Sequence, residues 1–346
     1  MAHGSGQQPD ITPREVIECR GDPRAMGFAQ GRSCCPVVRA RVVHAGAVTR
    51  KRVLRALLPL TTGRVLGRGM GREVIRHYPH LSERIQGLAR GADLPFEALM
   101  ELFLRAVSGA AADRALSAEA AVAVGSTGER GGLVVARALS GSGVPGSAWI
   151  LRHSRPEVGF ASHEVTLPWL ASAVAGVNER GVAVAIAPDA MASESTAVVD
   201  ARAPDAVLLV QECLQRFSDI QGCADWCSKR PVSGRASIVV ADASGSALAL
   251  EIGDGEPRAV PREPGVWLVG GSEVLRSRLR SELAGAGELD LDALIGPGVS
   301  GTQISTGDAG AVVALEPGTR SLTLRSLEAG AGETATRLEL PATESG

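Results

Sequence analysis

The chain has 346 residues, 36 Lys plus Arg against 38 Asp plus Glu, a formal net charge of −2 and 45% apolar residues. That composition belongs to a folded globular protein, too apolar for disorder, and no apolar run approaches the ~20 residues that a membrane helix needs. Six cysteines in a chain this long do not make a disulfide scaffold, and residues 1–10 show no basic region leading into an apolar core, so a cytoplasmic protein without a secretory signal is expected.

Residues 1–14 read as a flexible tail. Residues 15–19 alternate in polarity and stop at Gly21, which suits a short strand. The period then changes. Residues 23–30, 37–58, 71–89 and 95–107 space their apolar residues three and four apart, as amphipathic helices do. Clusters such as Pro59-Leu60-Thr61-Thr62-Gly63 and Gly91-Ala92-Asp93-Leu94-Pro95 separate them. From about residue 118 the texture is that of strands. Residues 120–124 and 133–136 flank a Gly-rich turn, residues 173–177 and 182–186 flank Asn178-Glu179-Arg180-Gly181, and both pairs read as hairpins. Helical segments follow at 205–217 and 220–229. A hairpin joins 237–241 to 247–251 across Asp242-Ala243-Ser244-Gly245. A strand at 266–269, a helix near 272–283 and a hairpin of 311–315 with 321–324 complete the series.

Many of these strands are apolar along their whole length, which is the pattern of strands covered on both faces. Tight turns between neighbours make them antiparallel. The expected fold is therefore α+β, an αββα sandwich of two antiparallel sheets with a helical N-terminal portion. One domain is expected over 15–340, mostly helical and basic over 15–110 and a sheet sandwich over 118–340.

Charge is unevenly distributed. Residues 20–90 hold 15 Arg and Lys against the acids Asp22, Glu73 and Glu83, a local +12 that leaves −14 for the remainder. Such a block either docks an acidic partner or is compensated internally by the acidic half. Nucleic acid fits poorly, because Phe28 and Tyr78 are the aromatic residues available there to stack on bases.

Four stretches resemble a known family in order. Gly21-Asp22-Pro23-Arg24-Ala25-Met26-Gly27-Phe28-Ala29-Gln30-Gly31 resembles the opening signature of the penicillin acyltransferase-like family, the acyl-CoA:isopenicillin N acyltransferase relatives among cysteine N-terminal-nucleophile (Ntn) hydrolases. The stretch from Tyr78 through Gly87 and Gly91 to Leu94 resembles its second block. Ala175-Gly176-Val177-Asn178-Glu179-Arg180-Gly181 and residues 237–251 resemble two of its hairpins. The resemblance implies an Ntn-hydrolase-like αββα fold. It also implies a cysteine nucleophile freed by self-cleavage, an Arg-Asn-x-Asp stretch after it and a later Thr-Asn-His motif. This sequence departs at each of those positions. The nucleophile position falls at Ala118 or Glu119, the second stretch reads Arg137-Ala138-Leu139-Ser140, and the third reads Gly270-Gly271-Ser272-Glu273. The resemblance thus points to a degenerate member that keeps the scaffold without the nucleophilic cysteine.

Ser117 is a nucleophile-type side chain beside the expected cut, or else an ordinary loop serine. Glu119 and Arg137 are placed to clamp a polar substrate or to act as acid and base, or else are solvated strand ends. Asp189, Glu273 and Ser140 would line the same cleft as substrate-binding residues. Arg64, Arg68 and Arg72, in a Gly-rich stretch read as a flexible basic loop, would meet an anionic partner. Pro79 breaks the spacing between His77 and His80, and the cysteines form no C-x2-C pair, so no metal and no cofactor is expected.

Three functions follow. The first is a binding or scaffold subunit of a heteromeric biosynthetic complex. The second is a recruited biosynthetic enzyme that uses the cleft for non-covalent chemistry, elimination or ring closure, on a substrate carried by an acidic carrier protein. The third is an acyltransferase or amidohydrolase working through Ser117.

Overall fold

The computed structural model describes residues 16–44, 62–108, 121–126, 132–139, 149–188, 203–253, 256–271, 273–283, 289, 291, 311–328 and 332–341. The expected tail 1–14 lies outside them. A short strand β1 (Val16–Gly21) leads into helices α1 (Pro23–Ser33), α2 (Cys35–His44), α3 (Thr62–His77), α4 (Pro79–Gly91) and α5 (Phe96–Ser108). Strands β2 (Ala121–Ser126), β3 (Leu133–Leu139), β4 (Ile150–Pro156), β5 (Ser162–Thr166), β6 (Ala175–Asn178) and β7 (Ala183–Pro188) precede helices α6 (Val207–Arg216) and α7 (Ile220–Cys227). The rest comprises β8 (Ala236–Ala241), β9 (Ala247–Ile252), β10 (Arg258–Pro261), β11 (Trp267–Gly270), α8 (Glu273–Leu283), β12 (Ala311–Glu316), β13 (Ser321–Glu328) and β14 (Gly332–Glu339).

The strands form two sheets, one of eight in the order β1-β4-β5-β6-β7-β8-β9-β10 and one of six in the order β11-β2-β3-β12-β13-β14. All neighbours are antiparallel except β1, which runs parallel to β4. The sheets stack face to face, with β2 and β3 against β7 and β12 against β6. Side-chain alternation explains how the smaller sheet is buried on both sides. Val122, Val124, Val135, Val313 and Leu315 join the core between the sheets. Ala121, Ala123, Val134, Ala136, Val312 and Ala314 face the other way, under Leu279 of α8 and Leu289. Helices α1, α6 and α7 cover the free face of the larger sheet. The arrangement is the αββα sandwich expected from the uniformly apolar strands.

Two details differ from the sequence reading. The helix expected over 71–89 is two helices, because Pro79 takes the first position of α4 and pushes Tyr78 out of helical geometry (φ −136°, ψ 62°). The Gly63–Gly71 stretch is no loop: α3 runs straight through it, its glycines carried in a helix packed against α4 and α5. Polar strands β4 and β5, absent from the sequence reading, lie between the edge strand β1 and β6 in the larger sheet.

The hairpin of β6 and β7 shows what its motif does. The Asn178 side-chain oxygen accepts from the backbone N–H of Arg180 (3.0 Å) and Val182 (2.9 Å), and its Nδ2 donates to the carbonyls of Leu214 (3.0 Å) and Phe217 (2.9 Å). The turn closes at Gly181 in the left-handed region (φ +79°). One asparagine therefore sets the turn and ties it to the end of α6.

Helices α1 and α4 meet backbone to backbone. A methyl group on Gly27 would sit 1.9 Å from the Arg84 carbonyl oxygen, one on Gly31 2.2 Å from the Leu88 oxygen, and one on Gly87 2.0 Å from the Arg24 oxygen. Nothing on either side of those contacts is a flexible side chain that could yield. Gly27→Ala and Gly87→Ala should therefore each cost about 2–4 kcal/mol or prevent folding. Gly253→Ala, with open space around it, should stay within about 0.5 kcal/mol of the parent. Urea denaturation midpoints of the three variants check this.

Candidate functional site

Of the residues singled out in the sequence, Arg137 on β3 and Glu273 at the start of α8 are the ones described at the smaller sheet, on opposite sides of it. The register places Gly270 beside Ala121, Val122 beside Arg137, and Ala311 beside Leu139. Arg137 lies between Val122 and Val313, on the same face of the sheet, between the two sheets. It is 1% exposed, and its guanidinium carbon stands 5.7 Å from the centre of the Trp149 ring. Its Nε and Nη1 have no hydrogen-bond partner among the described residues. Burial depresses the guanidinium to about 10. A fully desolvated cation with open donors is costly to keep, and an anion received there would offset that cost.

Glu273 begins α8 on the outer side of that sheet. It is exposed and held by Arg276 (2.5 Å) and Arg280 (3.1 Å), and hydrogen bonding and charge from Arg276 lower its carboxyl. The preceding Gly270 and Gly271 both occupy the left-handed region (φ 70° and 68°), and Arg276 donates to both their carbonyls at 3.2 and 3.3 Å. Backbone of that shape suits glycine and not a Thr-Asn-His run. Ser117, Glu119, Ser140 and Asp189 lie outside the described residues. Arg72 is exposed on α3; Arg64 and Arg68 belong to the same helix, and their side chains lie outside the described part.

Sequence reasoning missed a buried polar cluster on the helix-covered face of the larger sheet. Arg152 on β4 donates from Nε to Glu164 on β5 (2.5 Å), from Nη1 to Gln30 on α1 (2.6 Å) and from Nη2 to Gln211 on α6 (2.8 Å). Glu164 also accepts from Ser162 (2.6 Å), Gln211 (2.7 Å) and Ser154 (3.0 Å). Arg84 on α4 donates to Ser154 (2.9 Å) and lies 3.8 Å from Glu164. Burial alone would raise the Glu164 carboxyl, but Arg152, then Arg84, and the bonds from Ser162 and Gln211 outweigh it and hold the group at about 2. Gln30 finishes the cluster by donating Nε2 to the carbonyls of Pro168 (3.1 Å) and Leu170 (3.0 Å). With both oxygens of Glu164 filled, this cluster joins the sheet to three helices. The signal that would have found it is the polar triplet Arg152-His153-Ser154 facing Ser162-His163-Glu164 across an apolar sheet.

Cys19, Cys34, Cys213 and Cys227 lack the character of a nucleophile. Burial raises the thiol of Cys19 and pushes that of Cys34 up to about 12. Cys213 and Cys227 are raised first by thiol–thiol hydrogen bonding and then by burial. A reactive thiolate needs the opposite environment. Among the described residues no group of three His, Cys, Asp or Glu is placed to hold a metal ion, and no helix is long and apolar enough to cross a membrane.

No family model matches the sequence, and no curated protein matches it. Solved structures similar to it include the following three. A Caenorhabditis elegans ortholog of N-acylethanolamine-hydrolyzing acid amidase has a TM-score of 0.42 at 12% identity, covering 64% of this chain and 100% of that one. Penicillin V acylase from Agrobacterium tumefaciens has a TM-score of 0.39 at 13% identity, over 63% of this chain and 86% of that one. The C2A mutant of conjugated bile acid hydrolase from Clostridium perfringens has a TM-score of 0.38 at 10% identity, over 65% and 98%. Likeness at this level assigns no residue a role.

The Glu164 cluster has a definite pH signature. Above pH 4.5 the carboxylate is ionised in both folded and unfolded chains, and its stabilisation is fully present. As pH falls from 4.5 towards about 2 the unfolded chain takes up the proton first, so the stabilisation is lost across that window. Glu164→Gln strands two buried guanidinium groups and should cost about 3–5 kcal/mol at pH 7. Urea midpoints at pH 7 and pH 3 should converge for the parent and this variant.

Proposed function

We propose that the chain is a degenerate acyltransferase-like protein that does not cleave itself and serves as a binding subunit, receiving an anionic small molecule beside Arg137. The observation that carries this reading is Arg137 itself, a buried cation between the sheets with two nitrogens unpartnered among the described residues. The raised thiols of Cys19, Cys34, Cys213 and Cys227 support it, since they leave those side chains unsuited to a covalent acyl step. So does the sequence, which carries no cysteine between Cys35 and Cys213.

A second reading is a recruited enzyme that performs non-covalent chemistry at the same end on a substrate presented by an acidic carrier protein. Positioning alone removes ~7–11 kcal/mol from a suitable barrier. What favours this reading is the helical layer. Arg20 and Arg39 are neutralised by Glu18 and Asp93, while Arg32, Arg72, Arg76 and Arg90 are exposed and form no ion pair among the described residues. Arg32 and Arg90 flank the same helix crossing, where Gly91 meets the backbone of Arg32. The local +12 is thus partly compensated and partly displayed. Binding of an acidic carrier to this face should weaken about tenfold or more between 50 and 300 mM salt, and an affinity indifferent to salt removes the carrier.

Two measurements test the first reading. Denaturing mass spectrometry of the purified chain should show one species near 35.6 kDa; two fragments with the cut before Ser117 would make that serine the nucleophile. Arg137→Met should stabilise the ligand-free protein by about 1–3 kcal/mol, because it replaces an uncompensated buried charge with an apolar side chain. A loss of about 3–5 kcal/mol, the mark of a charge paired for structure, overturns the reading.

A further inference from the structure

The end of β4 remote from Trp149 and Arg137 holds a separate feature. Where β1 and β4 run out at Gly21 and Pro156, a cavity of about 520 Å3 opens between the first turns of α1 and α4, the end of α6 and residues 157–160. That volume suits a small molecule of ordinary size. Leu81 and Phe160 form part of an apolar wall, and Val158 stands at the rim, 90% exposed.

Arg84 belongs to the same wall. Its Nη2 is used by Ser154, but Nε and Nη1 have no partner among the described residues, and the side chain is 1% exposed. The surrounding charges do not balance. Arg84 and Arg152 share one carboxylate, Glu164, whose two oxygens are already filled. The neighbouring Cys19 thiol is raised by burial and stays neutral. One buried positive charge is left over beside an apolar cavity. Asp22 and Glu157 also line the cavity and oppose a second negative charge on any occupant, while the lining residues His80 and Arg216 are both engaged by Glu212.

We propose that this cavity binds a carboxylic acid with a single negative charge and an apolar body, its carboxylate received by Nε and Nη1 of Arg84. Guanidinium and carboxylate match edge to edge, and the apolar wall takes the remainder of the ligand. The site is independent of the one at Arg137 and does not rest on the function proposed above.

Calorimetric titration of the full chain with 4-phenylbutyrate, 4-phenylbutyramide and phenyl phosphate tests it. The acid should bind, with the amide and the phosphate weaker by about tenfold or more. Leu81→Trp, which fills the cavity and leaves the Arg84–Glu164–Arg152 group untouched, should abolish acid binding. Val158→Trp puts an indole at an exposed position that tolerates substitution. Its emission should shift as the acid saturates, which locates the ligand even if Leu81→Trp fails to fold. Three results would each overturn the proposal: no binding of the acid, equal binding of acid and amide, or an indole emission in Val158→Trp that is blind to the acid.

Discussion

The contact between the backbones of α1 and α4 governs the helical layer. Glycine inside a helix costs about 0.5–1 kcal/mol relative to alanine, so placing Gly27, Gly31, Gly87 and Gly91 in two helices is locally unfavourable. What offsets it is proximity. With no Cβ between them, carbonyl oxygens of one helix approach Cα atoms of the other within contact distance along two turns. That closeness sets where the next shell of side chains reaches. Gln30 extends from α1 to the loop after β5, and Arg84 extends from α4 to Ser154 of β4.

Buried charge in this protein comes in two kinds, separated by how fully its hydrogen bonds are made. Arg152 and Glu164 have their donors and acceptors filled by residues from α1, β4, β5 and α6. A group so completely satisfied joins layers and leaves nothing to offer a ligand. Arg137 and Arg84 are as deeply buried, yet each keeps two nitrogens unpartnered among the described residues. The sequence alone does not separate these arginines, because the difference lies in what stands opposite each one in space.

Legibility in the sequence followed the range of the interactions. Strands such as β2, β7 and β8 were readable because unbroken apolar residues report burial on both faces, and the hairpin turns announced themselves through Gly181 and Gly245. The αββα architecture follows from those two signals. Strands β4 and β5 were not readable. Their Arg, His, Ser and Glu residues look solvated along the chain and become core-compatible only when Arg152 meets Glu164 across the ladder. The helix through Gly63–Gly71 was hidden for a related reason, since local glycine content argued for a loop while packing against α4 and α5 stabilises the helix. Arg137 can be picked out along the chain from its motif position. Arg84 and the cavity cannot, because they draw on α1, α4, β4 and α6, which are far apart in sequence.

The parallel pairing of β1 with β4 also carries a consequence for the order of synthesis. Val16 pairs with Leu151 and Gly21 with Pro156, so the first strand of the sheet has no neighbour until about 130 residues later. At ordinary elongation rates this interval is roughly six to thirty seconds. Throughout it, α1 and α4 can meet through their glycines, but Gln30 and Arg84 have none of the acceptors that β4 and β5 supply. The nascent segment from β1 to α4 is thus a basic set of helices that carries an unpaired strand. Of the two surfaces it must keep from premature association, its like charge protects the first, and the second waits for β4.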